Sequence, residues 1–481
     1  MTGEEPKRGS GRSVGILIVG IAAAAVITQL PLGGGEAAGG LSPAARNLGA
    51  IFALCVALWA TEAIPVAVTA LLAVVLQPLL GVVPLDGALG AFMSKVFFFV
   101  VAMFVIAGVV VHTGLDRRFA LALLTRAGTN PRRVLLALMA GTAAVSSIMS
   151  DVPACAVFMA VGLGVLSRAG VKPGTSRFGK AVMMGIPIAA LIGGVATPAG
   201  SSVNVIGLDL LHRFSAEHDL GIRVTFVQWM ALGVPMVLVL VPAAWWAMLR
   251  FHPPELDSVG DTGDVARERQ DLGPIGADEW KVIVILAVMV VLWVAGSWVV
   301  ALDLTIVALC GAIVTFLPGV RLMEWTRAER FIGWNTLFMI GGVTSLGAAS
   351  MDTGLANWLV SMTMGGIQTW PLVAVIALIG VVTVLIHLPL PIAPVVNVVL
   401  IPPVAALALK LGVHPAICVL PVAFTASCAF LLPLDAVPLL TYRAGYYRMF
   451  DMLGPGATIS ALWVVVMTAL MFGVAPLVGL L

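Results

Sequence analysis

Apolar runs of roughly 20 residues follow one another along almost the whole of this 481-residue chain, and each is long enough to cross a bilayer core of about 30 Å as a helix. VFFFVVAMFVIAGVVV (96–111) and VIVILAVMVVLWVAGSWVV (282–300) are two of them. Composition agrees, since 60% of the residues are apolar and 10% charged, against about a quarter charged in soluble domains. The chain reads as an all-α polytopic membrane protein. Its net charge of +2 gives no sign of nucleic acid as a partner. Cys55, Cys155, Cys310, Cys418 and Cys428 stand singly in apolar segments, without CxxC or paired spacing, so they read as packing residues rather than disulfides or metal ligands. The polar, basic start MTGEEPKRGSGR leads into an apolar run, 14–32, that is long for a signal peptide and reads as a retained span.

Charged clusters and turn residues predict about eleven crossings, near 14–32, 45–62, 64–82, 95–113, 180–211, 226–249, 281–300, 303–318, 333–352, 414–442 and 457–480. Two further stretches, 134–167 and 371–409, carry a polar or proline-rich point midway and fit re-entrant hairpins that enter and leave on one side. With the N-terminus cytoplasmic, this layout places every one of the 26 Lys and Arg on the cytoplasmic face except Arg46, Lys95, Arg213, Arg223 and Lys410, as the positive-inside rule requires. The C-terminus then lies on the opposite face of the cell membrane.

Residues 251–280, the one long polar stretch, read as a solvated cytoplasmic linker. It follows an N-terminal tail and first span (1–44) and a first repeat (45–250), and precedes a second repeat (281–481). VVHTGLDRRFA (110–120) matches ASMDTGLANWL (349–359), each followed by a hairpin, and each half then holds a helix broken by Pro and Gly: GGVATPAGSSVN (193–204) and CAFLLPLDAVPL (428–439). An odd number of crossings per half inverts the second copy. Inverted repeats with paired broken helices point to a secondary transporter whose site lies at the repeat interface.

TASCAFLLPLDAVPLLTYRAGYYRMFDMLGPG (425–456), ALWATEAIPVAVTALL (57–72) and GGVATPAGSSVNVIG (193–207) resemble the divalent anion:sodium symporter (DASS) family of carboxylate and sulfate transporters, and the resemblance spans nearly the whole chain. It implies a scaffold part and a moving transport part, elevator-type alternating access, and a homodimer. It also implies that hairpin tips and helix breaks hold the anion and sodium. The first tip is Ser150-Asp151-Val152-Pro153, with aspartate where the family carries asparagine; the second, LPLPIAPVVNVV (388–399), has no Ser-Asn-Thr. In the first break Gly200, Ser201 and Asn204 keep the family's small–hydroxyl–amide pattern. In the second, Asp435, Ala436 and Leu439 replace glycine, threonine and asparagine. The resemblance thus implies anion contacts at Ser150, Asp151, Val152, Ser201, Ser202, Pro394, Asn397 and Ala436, and a sodium ion near Ser150, Gly200 and Asn204; no organic cofactor is expected.

No Lys or Arg lies in either tip or either break. The positive elements there are helix N-termini and amides, each worth about 0.3–1 kcal/mol, with hydroxyls and amides from Ser147, Ser150, Thr197, Ser201, Ser202, Asn204 and Asn397 adding hydrogen bonds. A charged Asp at mid-membrane costs at least about 2.5–3.5 kcal/mol, and Asp151 and Asp435 come from corresponding elements of opposite halves. Each must be protonated or hold a cation when an anion binds. Asp435 is therefore read as the coupling carboxylate, Asp151 as its partner, and Ser147, Gly200 and Asn204 as their neighbours; a rival reading keeps sodium, with both carboxylates as its ligands. Either Asp also fits a plain helix cap. His387 fits a satisfied core histidine better than a proton relay. The expected function is cation-coupled transport of a small divalent anion, a C4-type dicarboxylate before sulfate, with sodium-independent exchange or cation/proton antiport as alternatives. The six histidines show no HExxH or i,i+4 pairing and there is no G-x-S-x-G, so an enzyme is not expected.

Overall fold

The computed structural model describes Ala22 and residues 41–260, 263–356, 358–359 and 369–480. The span expected at 14–32 lies, apart from Ala22, outside the described residues. Those residues are helical, with no strand among them. Several helices begin at residues whose side chains cap them. Ser42 accepts from the Ala45 amide ahead of α1 (Pro43–Thr61), whose first residue is proline. Next come α2 (Val66–Leu79), α3 (Leu85–Phe92), α4 (Lys95–Thr113) and α5 (Leu115–Ala127).

The first hairpin follows as α6 (Pro131–Met149) and α7 (Asp151–Arg168), joined by Ser150 alone. Ser150 has φ +85°, a conformation that non-glycine residues hold only when the surroundings enforce it. α8 (Arg177–Gly194) and α9 (Ser202–Glu217) form the first broken helix, and α10 (Phe226–Phe251) starts on a Thr225/Gln228 capping box. The second half runs through α11 (Gly263–Asp271), α12 (Ala277–Ala295), α13 (Leu304–Val314) and α14 (Trp334–Asp352). A second hairpin, α15 (Leu372–Ile386) and α16 (Ala393–Lys410), precedes a second broken helix, α17 (Pro415–Thr425) and α18 (Ala436–Tyr442), and then α19 (Leu453–Gly473). Hairpin, broken helix and closing helix thus come in the same order twice.

Eight helical stretches among the described residues are long and apolar enough to cross a membrane. The centre of the molecule is α8, which is buried on every side and packs on both arms of the first hairpin, on α10 and on α18. Its small residues allow this: a methyl group added at Gly193 would lie 2.3 Å from the Ala143 carbonyl oxygen on α6. Alongside it, Asn397 of α16 donates to the Val203 carbonyl of α9 at 2.7 Å, a direct tie between the halves.

The segment 251–280 differs from the free polar linker expected of it. Arg118 binds Glu279 at 2.7 Å and caps the carbonyls of Leu272 and Gly273 at 3.0 and 2.8 Å. Glu268 on α11 bridges Arg117 of α5 and Arg168 at the end of α7, at 2.6 and 2.7 Å. Backbone carbonyls and acids that composition alone marks as solvated are taken up by arginines of the neighbouring helices. Two short helices, α3 and α5, also lie where the spacing predicts only connections. α5 carries Asp116, Arg117, Arg118 and Arg126, which masks its apolar face from a hydropathy reading.

Candidate functional site

The two interrupted helices and the two hairpin tips meet in the interior, and each break is shaped by its own residues. The last carbonyls of a helix need partners beyond its regular ladder; at the end of α8 the Val195 and Ala196 amides take those of Ile192 and Gly193. Asn204, one turn into α9, reaches back and donates to the carbonyls of Gly194 and Thr197 at 2.7 and 2.9 Å. Between them Pro198–Gly200 makes one 3-10 turn. Gly200 has no alternative there, because a methyl would sit 2.4 Å from the Gly194 carbonyl oxygen.

The first tip is bonded to this break. Thr197 donates to the Ser147 carbonyl at 2.7 Å, and Ser201, which also caps α9 by accepting from the Val203 amide, donates to Asp151 at 3.1 Å. The other Asp151 oxygen accepts from Ser150 Oγ at 3.1 Å and the Val152 amide at 2.9 Å. Asp151 is 7% exposed, and so is Asp435. Asp435 accepts from the Val437 amide at 3.1 Å as the N-cap of α18, and the Ala393 amide, at the start of α16, also donates to it. The two carboxylates lie within electrostatic range of each other, and the Cys155 thiol on α7 donates to the Val437 carbonyl at 3.6 Å.

The sequence-read residues therefore gather unevenly. Asp151, Ser201, Asn204, Gly200 and Asp435 belong to one buried constellation, with Ser150 half-buried against Asp151. Asn397 is buried beside it, bonded to α9, and Pro394 is buried in the first turn of α16. The Ser147 side chain instead bonds its own helix, donating to the Ala144 carbonyl at 2.7 Å; its backbone carbonyl is what meets the break. Val152 and Ala436 are exposed and Ser202 is half-buried. Asp435 is the N-cap of α18 and lies within electrostatic range of Asp151.

Three buried polar atoms here have no hydrogen-bond partner: Asn204 Oδ1, Asn397 Oδ1 and Ser427 Oγ. Unpaired buried oxygens are costly and suit a small cation or the hydrogen atoms of a ligand. Ser427 escaped the sequence reading; its only signal was its place in the broken segment TASC. Among the described residues no three His, Cys, Asp or Glu gather as a metal cluster.

The chain resembles known proteins along nearly its full length. A family model described as the sodium:sulfate symporter transmembrane region matches residues 13–480. A sodium-dependent dicarboxylate transporter of Staphylococcus saprophyticus is 26% identical over 456 residues, 89% of this chain and 86% of that protein. Its Staphylococcus aureus counterpart is 24% identical over 87% of this chain and 84% of its own length, and a Cupriavidus necator membrane protein is 26% identical over 82% and 80%. Among solved structures, the Alcanivorax borkumensis YdaH transporter superposes with a TM-score of 0.50 at 14% identity, covering 98% of both chains. Neisseria gonorrhoeae MtrF gives 0.53 at 12%, covering 98% of this chain and 96% of its own. At such identities these two speak for the fold alone.

Proposed function

Because the chain belongs to the sodium:sulfate symporter family, we propose that it is a secondary active transporter of a small divalent anion, a C4-type dicarboxylate before sulfate, that moves together with cations. Membership itself makes it a multi-pass membrane transporter rather than an enzyme; the substrate and the coupling are our reading. The single observation that carries it is the pair Asp151 and Asp435, buried together between a hairpin tip and two helix breaks whose segments contain no Lys or Arg.

Removing a charged group from water costs several kcal/mol. A dianion beside two ionised carboxylates adds repulsion to that cost, so cations must neutralise the site when it is filled. The unpartnered Oδ1 of Asn204, with Ser150 and the backbone at Gly200, supports a sodium ion at the first break. A proton shared by Asp151 and Asp435 supports the rest, and Asp435 does the coupling because its second-half neighbours, Ala436 and Leu439, have no polar side chain.

The hairpins and broken helices form the moving part in this reading, α1, α2, α4 and α12–α14 the scaffold, and the two halves are inverted repeats. A homodimer with its N-terminus in the cytoplasm follows the family pattern and the distribution of Lys and Arg. The test is uptake of radiolabelled succinate and sulfate into proteoliposomes, with sodium and pH varied independently. Wild type is expected to need both cations, whereas Asp435→Asn loses most uptake together with its pH dependence. Uptake by Asp435→Asn that follows the wild-type pH curve would remove Asp435 from the coupling.

A further inference from the structure

His387 follows α15 directly, at a point where two helices end. Its Nδ1 lies 2.8 Å from the Thr383 carbonyl in the last turn of α15, and its Nε2 lies 2.9 Å from the Ala426 carbonyl just past the end of α17. Both partners are oxygens that only accept. A neutral imidazole has one N–H and one lone pair, so it satisfies one carbonyl and turns its lone pair on the other. Only the imidazolium donates to both. Burial opposes that charge, and the two carbonyls favour it, because the last carbonyls of a helix carry the negative end of its dipole and stabilise a cation; here two such ends converge on one ring.

The side chain is 6% exposed and lines one small cavity with Asp435, Cys428 and Pro391. Asp435 and Cys428 are the titratable groups sharing that cavity, and Asp151 is within electrostatic range of Asp435. On the helices packed around His387, Cys418 lies within α17, and His414 and Lys410 lie at the ends of α17 and α16 away from it; α19 carries no titratable group. No Lys or Arg occurs in 385–397 or 425–441.

We propose that His387 is a resident imidazolium that supplies the second half of the site with its positive charge, in the kind of place where the C-terminal ends of broken helices otherwise hold a transported cation. Its proton comes from the aqueous phase and remains on the ring while the anion is bound. The assignment explains how the second tip, LPLPIAPVV (388–396), dispenses with hydroxyl and amide side chains: one ring satisfies the carbonyls and contributes the charge. Its role rests on the transport reading above; its protonation does not.

Ile386–His387 is the only Ile–His pair in the chain, so carbonyl-¹³C isoleucine with ¹⁵N-histidine isolates this residue in the wild-type protein by solid-state NMR in lipid bilayers. Both ring nitrogens are expected to be protonated at pH 7; an unprotonated ring nitrogen at that pH overturns the proposal. In proteoliposomes, wild-type uptake is expected to fall about tenfold or more as the ring loses its proton at alkaline pH, and His387→Gln to be low and to lack that alkaline fall. His387→Gln with the wild-type pH profile overturns it too. Failure of the transport reading shows separately, as wild-type protein that takes up no anion at any pH, and this removes the role of the ring without touching its charge.

Discussion

Gly193 shows what single atoms decide in this molecule. Its α-carbon faces the backbone of α6, where an added methyl would meet Ala143 O at 2.3 Å and Ala143 Cα at 2.4 Å. Backbone on both sides leaves nothing to rotate away. Gly193→Ala is expected to lower the melting temperature in detergent, through overpacking that costs about 1–3 kcal/mol or more. Gly164→Ala on α7, with nothing within 4 Å, is expected to be neutral or to stabilise by up to about 1 kcal/mol. A common shift for both variants would remove the packing explanation. At this scale the sequence revealed the aspartates well, because an ionisable residue in an apolar run stands out. It revealed His387 poorly, because the carbonyl that makes the ring unusual belongs to Ala426, 39 residues away. Asn204 was legible as a polar residue of the first break, but not as the clamp that holds the end of α8.

Among the elements, the segment after α10 departs most from expectation. Glu268 on α11 binds Arg117 and Arg168, and so fastens α5 to the end of a hairpin arm. The hydrogen bond from Arg117 holds the Glu268 carboxyl below its ordinary range; desolvation opposes this more weakly, and Arg168 adds to the lowering. A depressed carboxyl pKa means that the stabilisation is complete above the unfolded value and is lost as pH falls through the folded one. Glu268→Gln is therefore expected to raise amide hydrogen exchange in 263–271 several-fold at neutral pH, consistent with ion pairs worth about 0–1 kcal/mol each. Equal exchange in both proteins at neutral pH would show that the bridge holds nothing. Broken helices and hairpins were legible because proline, glycine and buried polar residues mark them locally. The folding of 251–280 was not, because its partners are arginines on other helices.

For the molecule as a whole, buried charge has a thermodynamic consequence. Anion and cation should stabilise the fold together, since each relieves the cost of burying the other. Ligand at 100 times its dissociation constant contributes about 2.7 kcal/mol by mass action. Succinate is expected to raise the melting temperature of the purified protein strongly in sodium at mildly acidic pH and weakly without sodium at alkaline pH. Asn204→Ala should abolish the sodium-dependent part. A succinate shift that is the same in all conditions would mean that the anion binds unaccompanied.

Thr197 and Ser201 join the first tip to the adjacent helix break, and Asn397 and Cys155 carry the stitching across to the other half. The first tip is thus not a flap that swings by itself. Under the proposed transport reading, a passenger seated at that knot travels with the block that these four bonds tie together.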